Sequence, residues 1–162
     1  CSGLVGSEMC IRDRIHHYFG GKKGLLIATY KQLAFEHVQQ LERRNVSPNN
    51  LGDEPLSAIT DDYFKAIIRA VLDDQMDLVR VQIDSNLSVS RQTLEQLTKL
   101  KNLKKPNAEI KSAVAIAMVV EFGLASMEKY IDEVLEMSTN DKKVFMKYFF
   151  EARELGILKV LK

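Results

Sequence analysis

The sequence predicts an all-α protein, and three observations lead to that class. Apolar side chains recur at intervals of three and four residues, which places them on one face of an α-helix. Only 8 glycines and 3 prolines occur in 162 residues, and no hairpin dipeptide separates two alternating apolar segments. The composition, with 46% hydrophobic and 28% charged residues, is that of an ordinary globular protein.

The sequence pattern in the first half of the chain predicts three helices. One runs over residues 22–41 and is followed by a polar loop at 45–53, which is rich in turn-forming residues. The second covers residues 55–72, where Pro55 suits the first helical position and the apolar stripe is broad. The third covers residues 75–87. The broad stripe of the second helix indicates burial against several neighbours.

The second half predicts three more helices. A short charged helix covers residues 91–103, and a proline-containing break follows it. Asn107 is placed to cap a long helix over residues 108–137, which is apolar nearly all round in its first half. After a polar break, a last helix with an aromatic stripe covers residues 141–155. Gly156 is expected to end that helix as a C-cap.

Charge and hydropathy limit the classes of function. The net charge is +1, so any contact with nucleic acid must be local. The longest uninterrupted apolar run, residues 113–120, is far shorter than the roughly 20 residues that cross a bilayer, and no membrane span is expected. The two cysteines of the sequence, Cys1 and Cys10, both lie in the first ten residues. No disulfide framework can therefore hold the rest of the chain. A cytoplasmic protein is expected.

The first fourteen residues are interpreted as foreign to the natural protein. From Gly3 to Asp13 the chain agrees residue for residue with the conceptual translation of a common transposase sequencing adaptor. Residues 1–14 are therefore expected to be a non-native segment joined to a truncated gene. The alternative is a genuine N-terminal segment.

The segment from Ile15 to Leu26 reads Ile-His-His-Tyr-Phe-Gly-Gly-Lys-Lys-Gly-Leu-Leu. It resembles the end of the DNA-binding domain of TetR/AcrR-family transcriptional regulators. In that family the stretch closes the recognition helix and opens the helix that connects it to the regulatory body. The resemblance covers the chain from Ile15 to Lys162, but beyond Leu41 it is one of helical architecture only.

The resemblance implies contacts with the DNA backbone through His16, His17, Tyr18 and Lys22. Lys22 lies in the first turn of a helix, where free N–H groups favour a phosphate. Gly21 departs from the family pattern, because it offers no capping side chain. The family's first two helices and most of its recognition helix belong before Ile15. The chain as given is therefore expected not to bind an operator specifically.

An effector pocket is expected between the helices of residues 55–103. A small apolar effector is the ligand that such a pocket predicts. The residues expected to line it are Tyr63, Phe64, Ile67, Met76, Val79 and Ile83. The alternative is that these side chains form plain core.

The last two helices predict a homodimer. Together they are apolar on more faces than one body can cover, which favours an isologous four-helix bundle between two copies. The resemblance implies the same arrangement. The residues expected at this interface are Val119, Phe122, Met127, Phe145, Tyr148 and Phe149. The alternative for the aromatic stripe is internal core.

Catalytic and metal chemistry find little support. Adjacent histidines such as His16 and His17 do not share a helix face, and no cysteine or carboxylate cluster completes a metal site. His37, on an apolar stripe, is interpreted as a packed or capping histidine. No nucleophile with a nearby base and no glycine-rich phosphate loop is present. No enzyme, metal or cofactor is expected.

These observations predict a ligand-responsive transcriptional regulator of TetR type, a repressor by analogy with its family. Three parts are expected: the non-native segment 1–14, a remnant of the DNA-binding domain with the connecting helix at 15–41, and an effector-binding and dimerisation domain at 42–162. Operator DNA is a partner of the full-length protein only. The alternative is a stand-alone helical dimerisation and ligand-binding module that does not bind DNA.

Overall fold

The computed structural model describes residues 4–46, 50 and 55–161. That part of the chain holds eight α-helices and no β-strand, so the predicted all-α class is confirmed. The helices are α1 (Leu4–Phe19), α2 (Lys22–Arg43), α3 (Leu56–Ile59), α4 (Asp61–Leu72), α5 (Met76–Asp84), α6 (Val89–Leu100), α7 (Ala108–Val134) and α8 (Thr139–Leu161). Most of the predicted loop at 45–53 lies outside the described residues.

Five of these helices, α2, α4, α5, α6 and α7, end in the same way. Beyond each C-cap one residue is left-handed, with φ between 48° and 56°, and the next N–H returns to a carbonyl five residues earlier. At the end of α4, for example, the N–H of Gln75 lies 2.8 Å from the carbonyl of Ala70. Four of the five left-handed residues are Asn or Asp, which adopt this conformation more readily than other non-glycine residues.

The predicted helix over residues 55–72 is in fact two helices, α3 and α4. Thr60 separates them, with φ −147° and ψ 66°, outside the helical region. Its hydroxyl shares a hydrogen bond with Nδ1 of His37 on α2. The N–H of Leu56, at the start of α3, donates to a carboxylate oxygen of Glu121 on α7 at 2.9 Å. Because both partners are distant in sequence, local periodicity does not predict the break.

The starts of the two long C-terminal helices are capped by side chains. Asn107 caps α7 as predicted, since its Oδ1 accepts the N–H of Ile110 at 3.0 Å. Before α8, Ser138 and Asp141 cap each other: Ser138 Oγ accepts the N–H of Asp141, and Asp141 Oδ2 accepts the N–H of Ser138. The last helix therefore begins slightly before its predicted start.

Gly156 does not end the last helix, contrary to the prediction. α8 continues to Leu161, and Gly156 lies where α8 crosses α7. A Cβ at Gly156 would lie 3.1 Å from Cα and 3.3 Å from the carbonyl oxygen of Ala113. The glycine is therefore explained by close approach of two helices rather than by a left-handed turn.

Replacing Gly156 by alanine is expected to stabilise the chain less than the same change at Gly123. Both glycines lie inside helices, where alanine is ordinarily favoured by about 0.5–1 kcal/mol. A Cβ at Gly123 meets nothing within 4 Å, so Gly123→Ala should show that full gain. Gly156→Ala should not show this gain in stability, because the added Cβ would crowd the backbone of Ala113. Gly156→Val should lower the free energy of unfolding by about 1–3 kcal/mol through overpacking. Urea unfolding of the three variants checks this, and equal gains at both glycines would refute the close helix crossing.

Two hydrophobic clusters form the core, and α7 contributes to both. One joins α6, α7 and α8 through Leu97, Ile110, Ala113 and Ile157. The other joins α2 and α4 through Ala34, Tyr63, Phe64 and Ile67, with Phe122 of α7 packed against it. Helix α7 therefore connects the two hydrophobic clusters.

Helix α7 is, by length and composition, long and apolar enough to cross a membrane. It has 27 residues and a mean hydropathy of 1.7 over its most apolar window, of which 28% is buried. The prediction from uninterrupted runs missed this property because Glu121 interrupts the run. The core helix of a soluble protein can have the same length and composition. The absence of a membrane span stays a prediction.

Candidate functional site

A cavity of about 780 Å³ lies beside α7, with walls from α4, α5 and α6. Its volume is within the range of roughly 300–1,000 Å³ that is typical of small-molecule sites, and most of its lining side chains are apolar. The structure brings together all six residues that the sequence assigned to an effector pocket: Tyr63, Phe64, Ile67, Met76, Val79 and Ile83. Occupancy by an effector stays a prediction.

Helical spacing explains how α4 and α5 supply two walls. On α5, Met76, Val79 and Ile83 follow each other at intervals of three and four, so they lie on one face.

The open side of the cavity is also apolar: Leu72 is 76% exposed and Val119 is 72% exposed, and both line it. The cavity is therefore accessible to a ligand from solvent.

A neutral polar cluster lies in the wall formed by α2, α4 and α5. The ring of His37 is 2% exposed and stacks on Tyr63 with 4.2 Å between ring centroids. The Tyr63 hydroxyl donates a hydrogen bond to Oε1 of Gln82, and all three residues line the cavity. Burial lowers the pKa of His37 to about 4 and raises the pKa of Tyr63. Both side chains are therefore uncharged at neutral pH.

A buried ion pair lies in the wall formed by α7 and α8. Arg153 Nη1 donates to Glu121 Oε1 at 3.0 Å, and the two side chains are 2% and 4% exposed. The guanidinium also lies 4.8 Å from the ring centroid of Phe150. Burial raises the pKa of Glu121, while Arg153 and the N–H of Leu56 act in the opposite direction.

The sequence reasoning missed both partners of this ion pair. A detectable signal was present, because Glu121 is the one charged residue in the apolar stretch from residue 112 to residue 127. A carboxylate in such a stretch requires a partner when it is buried. The position of Arg153, 32 residues further on, depends on the α7–α8 packing.

The charges that line the cavity do not balance. Its charged residues are Arg91, Lys111, Glu121 and Arg153, of which the last two neutralise each other. Arg91 and Lys111 are exposed and make no ion pair within the described part of the chain. The cavity is therefore mostly apolar, and two of the cationic residues on its wall have no ion-pair partner in the described part of the chain.

The residues predicted to contact DNA lie around the turn between α1 and α2. His16, His17, Tyr18 and Lys22 are all exposed, and the rings of His17 and Tyr18 meet edge to face at 5.0 Å. Gly21 precedes α2 without a side-chain cap, as its identity predicts. The contact with DNA stays a prediction.

Two glycines explain the sharpness of that turn. Gly20 and Gly21 have φ of 69° and 109°, a conformation that other residues rarely adopt. A Cβ at Gly24 would collide with the carbonyl oxygen of Phe19, so α2 begins in close contact with the end of α1. Helix α1 is continuous from Leu4, and it includes most of the segment interpreted as adaptor-derived.

The six residues assigned to a dimer interface do not share one environment. Val119, Met127 and Tyr148 are exposed, and Phe145 is partly buried. Phe149 is 5% exposed, so it lies inside one chain, as the alternative interpretation of the aromatic stripe had it. Phe122 lines the cavity with its ring 4.9 Å from that of Phe64. Phe149 is therefore not part of the exposed surface, and partly buried Phe122 belongs to the cavity wall.

His37 is packed in the core, as the sequence predicts. Across the residues that the structure describes, no three His, Cys, Asp or Glu side chains are grouped so as to hold a metal ion.

No protein-family model matches the chain, and no curated protein or solved structure matches it significantly. The cavity and the residues around the α1–α2 turn are therefore the features that bear on function.

Proposed function

We propose that this chain is the ligand-binding and dimerisation body of a TetR-type transcriptional regulator, a repressor in its natural full-length form. The observation that carries the proposal is the cavity of about 780 Å³, whose wall contains all six residues expected to meet an effector. The resemblance from Ile15 to Leu26 supports the assignment to a DNA-binding regulator. Its role is binding rather than catalysis.

The cavity is coupled to α2 through direct contacts. His37, near the end of α2, lines the cavity and stacks on Tyr63 of α4. Near the start of α2, Lys23 forms an ion pair with Asp77 of α5 at 2.7 Å, and α5 supplies another wall. A ligand that separates α4 and α5 would thus move the helix that carries Lys22. It changes DNA affinity only as far as its affinities for the two states differ.

The proposal includes a homodimer formed through α7 and α8. Both helices expose large apolar side chains that one copy does not cover, and such surface favours association. The exposed set is Ile116, Met118, Val119, Met127, Tyr130, Val134, Leu135, Val144, Tyr148 and Leu155. Sedimentation equilibrium is expected to give a dimer. A monomer at micromolar concentration would remove this part of the proposal.

Binding of a neutral apolar fluorophore tests the cavity. N-phenylnaphthylamine is expected to bind saturably with one site per chain. Ile83→Trp should weaken it by about tenfold or more, because the indole occupies the volume that the ligand needs. Leu100→Trp is the matched control, since Leu100 is exposed and does not line the cavity. Equal binding by both variants would show that the fluorophore binds elsewhere.

The second candidate is a stand-alone helical module that binds ligand and dimerises without contacting DNA. The net charge of +1 favours it, because the chain as a whole has no excess of basic residues of the kind found in DNA-binding proteins. Both candidates share the cavity. They differ in whether a helix-turn-helix is encoded before Ile15.

A further inference from the structure

The first turn of α6 forms part of the cavity wall. Ser88, Val89, Ser90 and Arg91 all line the cavity. The first backbone bond of the helix runs from the N–H of Gln92 to Ser88, at 3.0 Å, so the three preceding N–H groups have no acceptor within the helix. The first turn of α6 contains no acidic residue. This end of α6 therefore presents positive potential to the cavity.

Ser88 supplies a second and independent observation. The residue is 8% exposed and lines the cavity at the start of α6. The hydroxyl does not cap α6, and it forms no hydrogen bond within the part of the chain that the structure describes. A hydroxyl that lines a cavity and has no protein partner ordinarily meets a water or a ligand there. Ser88 therefore offers a polar ligand atom a hydrogen bond at the same place.

Charge selects the sign of that ligand atom. Arg91 is in the first turn of α6, and Lys111 is a further cationic residue of the wall. Among the described residues that line the cavity, Glu121 is the only acidic one, and it is already paired with Arg153. An anion would be attracted to this region, whereas a cation would find no counter-charge.

The remaining wall selects an apolar body. Apolar side chains of α4 and α5, such as Ile67, Val79 and Ile83, line the rest of the cavity. We propose that the cavity binds a free single-chain amphipathic anion of the long-chain carboxylate class, with its head at the N-terminus of α6 beside Ser88 and Arg91. Its tail lies along α4 and α5. This inference rests on the proposed function and deepens it by naming the class of ligand.

Competition against N-phenylnaphthylamine tests the ligand class on the full chain. Dodecanoate, dodecanol and dodecyltrimethylammonium share one tail and differ in the charge of the head. Below their micellar concentrations at neutral pH, dodecanoate is expected to compete about tenfold better than dodecanol. Dodecyltrimethylammonium is expected to compete least. Dodecanol competing as well as dodecanoate would overturn the anionic assignment.

Substitutions locate the head group. Arg91→Gln and Ser88→Ala are each expected to weaken dodecanoate by about three- to tenfold, with dodecanol changed less than about twofold. Arg80→Gln is the matched control, because Arg80 is exposed on α5 and does not line the cavity. Helical content by circular dichroism verifies that each variant is folded. Parallel losses for dodecanoate and dodecanol would overturn the α6 site.

Two further outcomes separate this inference from its alternatives. If N-phenylnaphthylamine binds but no dodecyl compound displaces it, the amphiphile class is wrong while the apolar pocket stands. If the fluorophore itself does not bind, the proposed function fails. Vesicles of phosphatidylglycerol test whether the anion comes from a membrane lipid. Co-sedimentation of the chain with them, abolished by Arg91→Gln, would show a membrane lipid as the source of the anion and overturn the free ligand.

Discussion

Glu121→Gln is expected to lower the free energy of unfolding by about 3–5 kcal/mol. The change removes the charge that neutralises Arg153, whose side chain is 2% exposed. The guanidinium then stays in the core, where Glu154 lies 3.6 Å from Nη2 but does not replace the charge at the Nη1 side. Removing one partner of a buried pair is costly because the other charge stays desolvated. The glutamine keeps the size of the side chain, so the loss reports charge rather than packing.

Urea unfolding followed by circular dichroism measures this effect. The double variant Glu121→Gln with Arg153→Met should be more stable than Glu121→Gln alone, because no uncompensated charge remains. Lys65→Gln is the surface control: it breaks the exposed ion pair with Asp61 and is expected to leave the urea midpoint nearly unchanged. If Glu121→Gln unfolds at the wild-type midpoint, the ion pair does not contribute to the stability of the core.

Acidification from pH 6.5 to pH 4 is expected to cost about 3 kcal/mol of stability through His37 alone. Burial lowers the pKa of His37 in the folded chain from 6.5 to about 4. Between these values the unfolded chain binds a proton that the folded chain does not bind. The His37 contribution is therefore fully present above pH 6.5 and is lost as the pH falls toward 4. The contribution of Glu121 to the pH dependence of stability has the opposite sign, because burial raises the pKa of its carboxyl group in the folded chain.

Comparison of two pH profiles isolates the histidine. Urea unfolding of the wild type and of His37→Asn over this pH range should give a flatter profile for the variant, since the carboxylates titrate in both proteins. The variant is also expected to be less stable at neutral pH, because the stacking on Tyr63 is lost. His17→Asn, at an exposed ring, is the control for the substitution itself. Identical slopes for wild type and His37→Asn would contradict the account of the buried neutral histidine.

Local pattern was sufficient to predict most helices and one side of the cavity. The stripe on α5 depends on spacing within nine residues, so Met76, Val79 and Ile83 could be placed on one face. The start of α7 was predictable because the Asn107 cap acts on the next turn of the chain. These features depend on neighbours in sequence.

Features that depend on distant contacts were not predictable in the same way. The break at Thr60 accompanies its hydrogen bond to His37, which is 23 residues away. The role of Gly156 depends on how closely α8 crosses Ala113. The aromatic stripe of α8 showed which residues are apolar but not which face is internal. Phe149 was predicted at the dimer interface from this stripe, but its side chain is buried within one chain.

The polar part of the cavity depends most on tertiary structure. The proposed head-group site combines Ser88 and Arg91, at the start of α6, with a cavity whose other walls come from α4, α5 and α7. In the sequence, Ser88 is one of several serines in a polar stretch. Its burial and its lack of a hydrogen-bond partner among the described residues are apparent only in the fold.

We propose that the natural protein is a DNA-binding regulator whose body contains the ligand cavity. Sequencing the genomic locus across the codon for Ile15 tests it most directly. The proposal expects an open frame that encodes a helix-turn-helix before Ile15, in place of residues 1–14. A genomic sequence that reads Cys1 to Arg14 as they stand here would contradict both the adaptor interpretation and the regulator, and the stand-alone helical module would then be the better account.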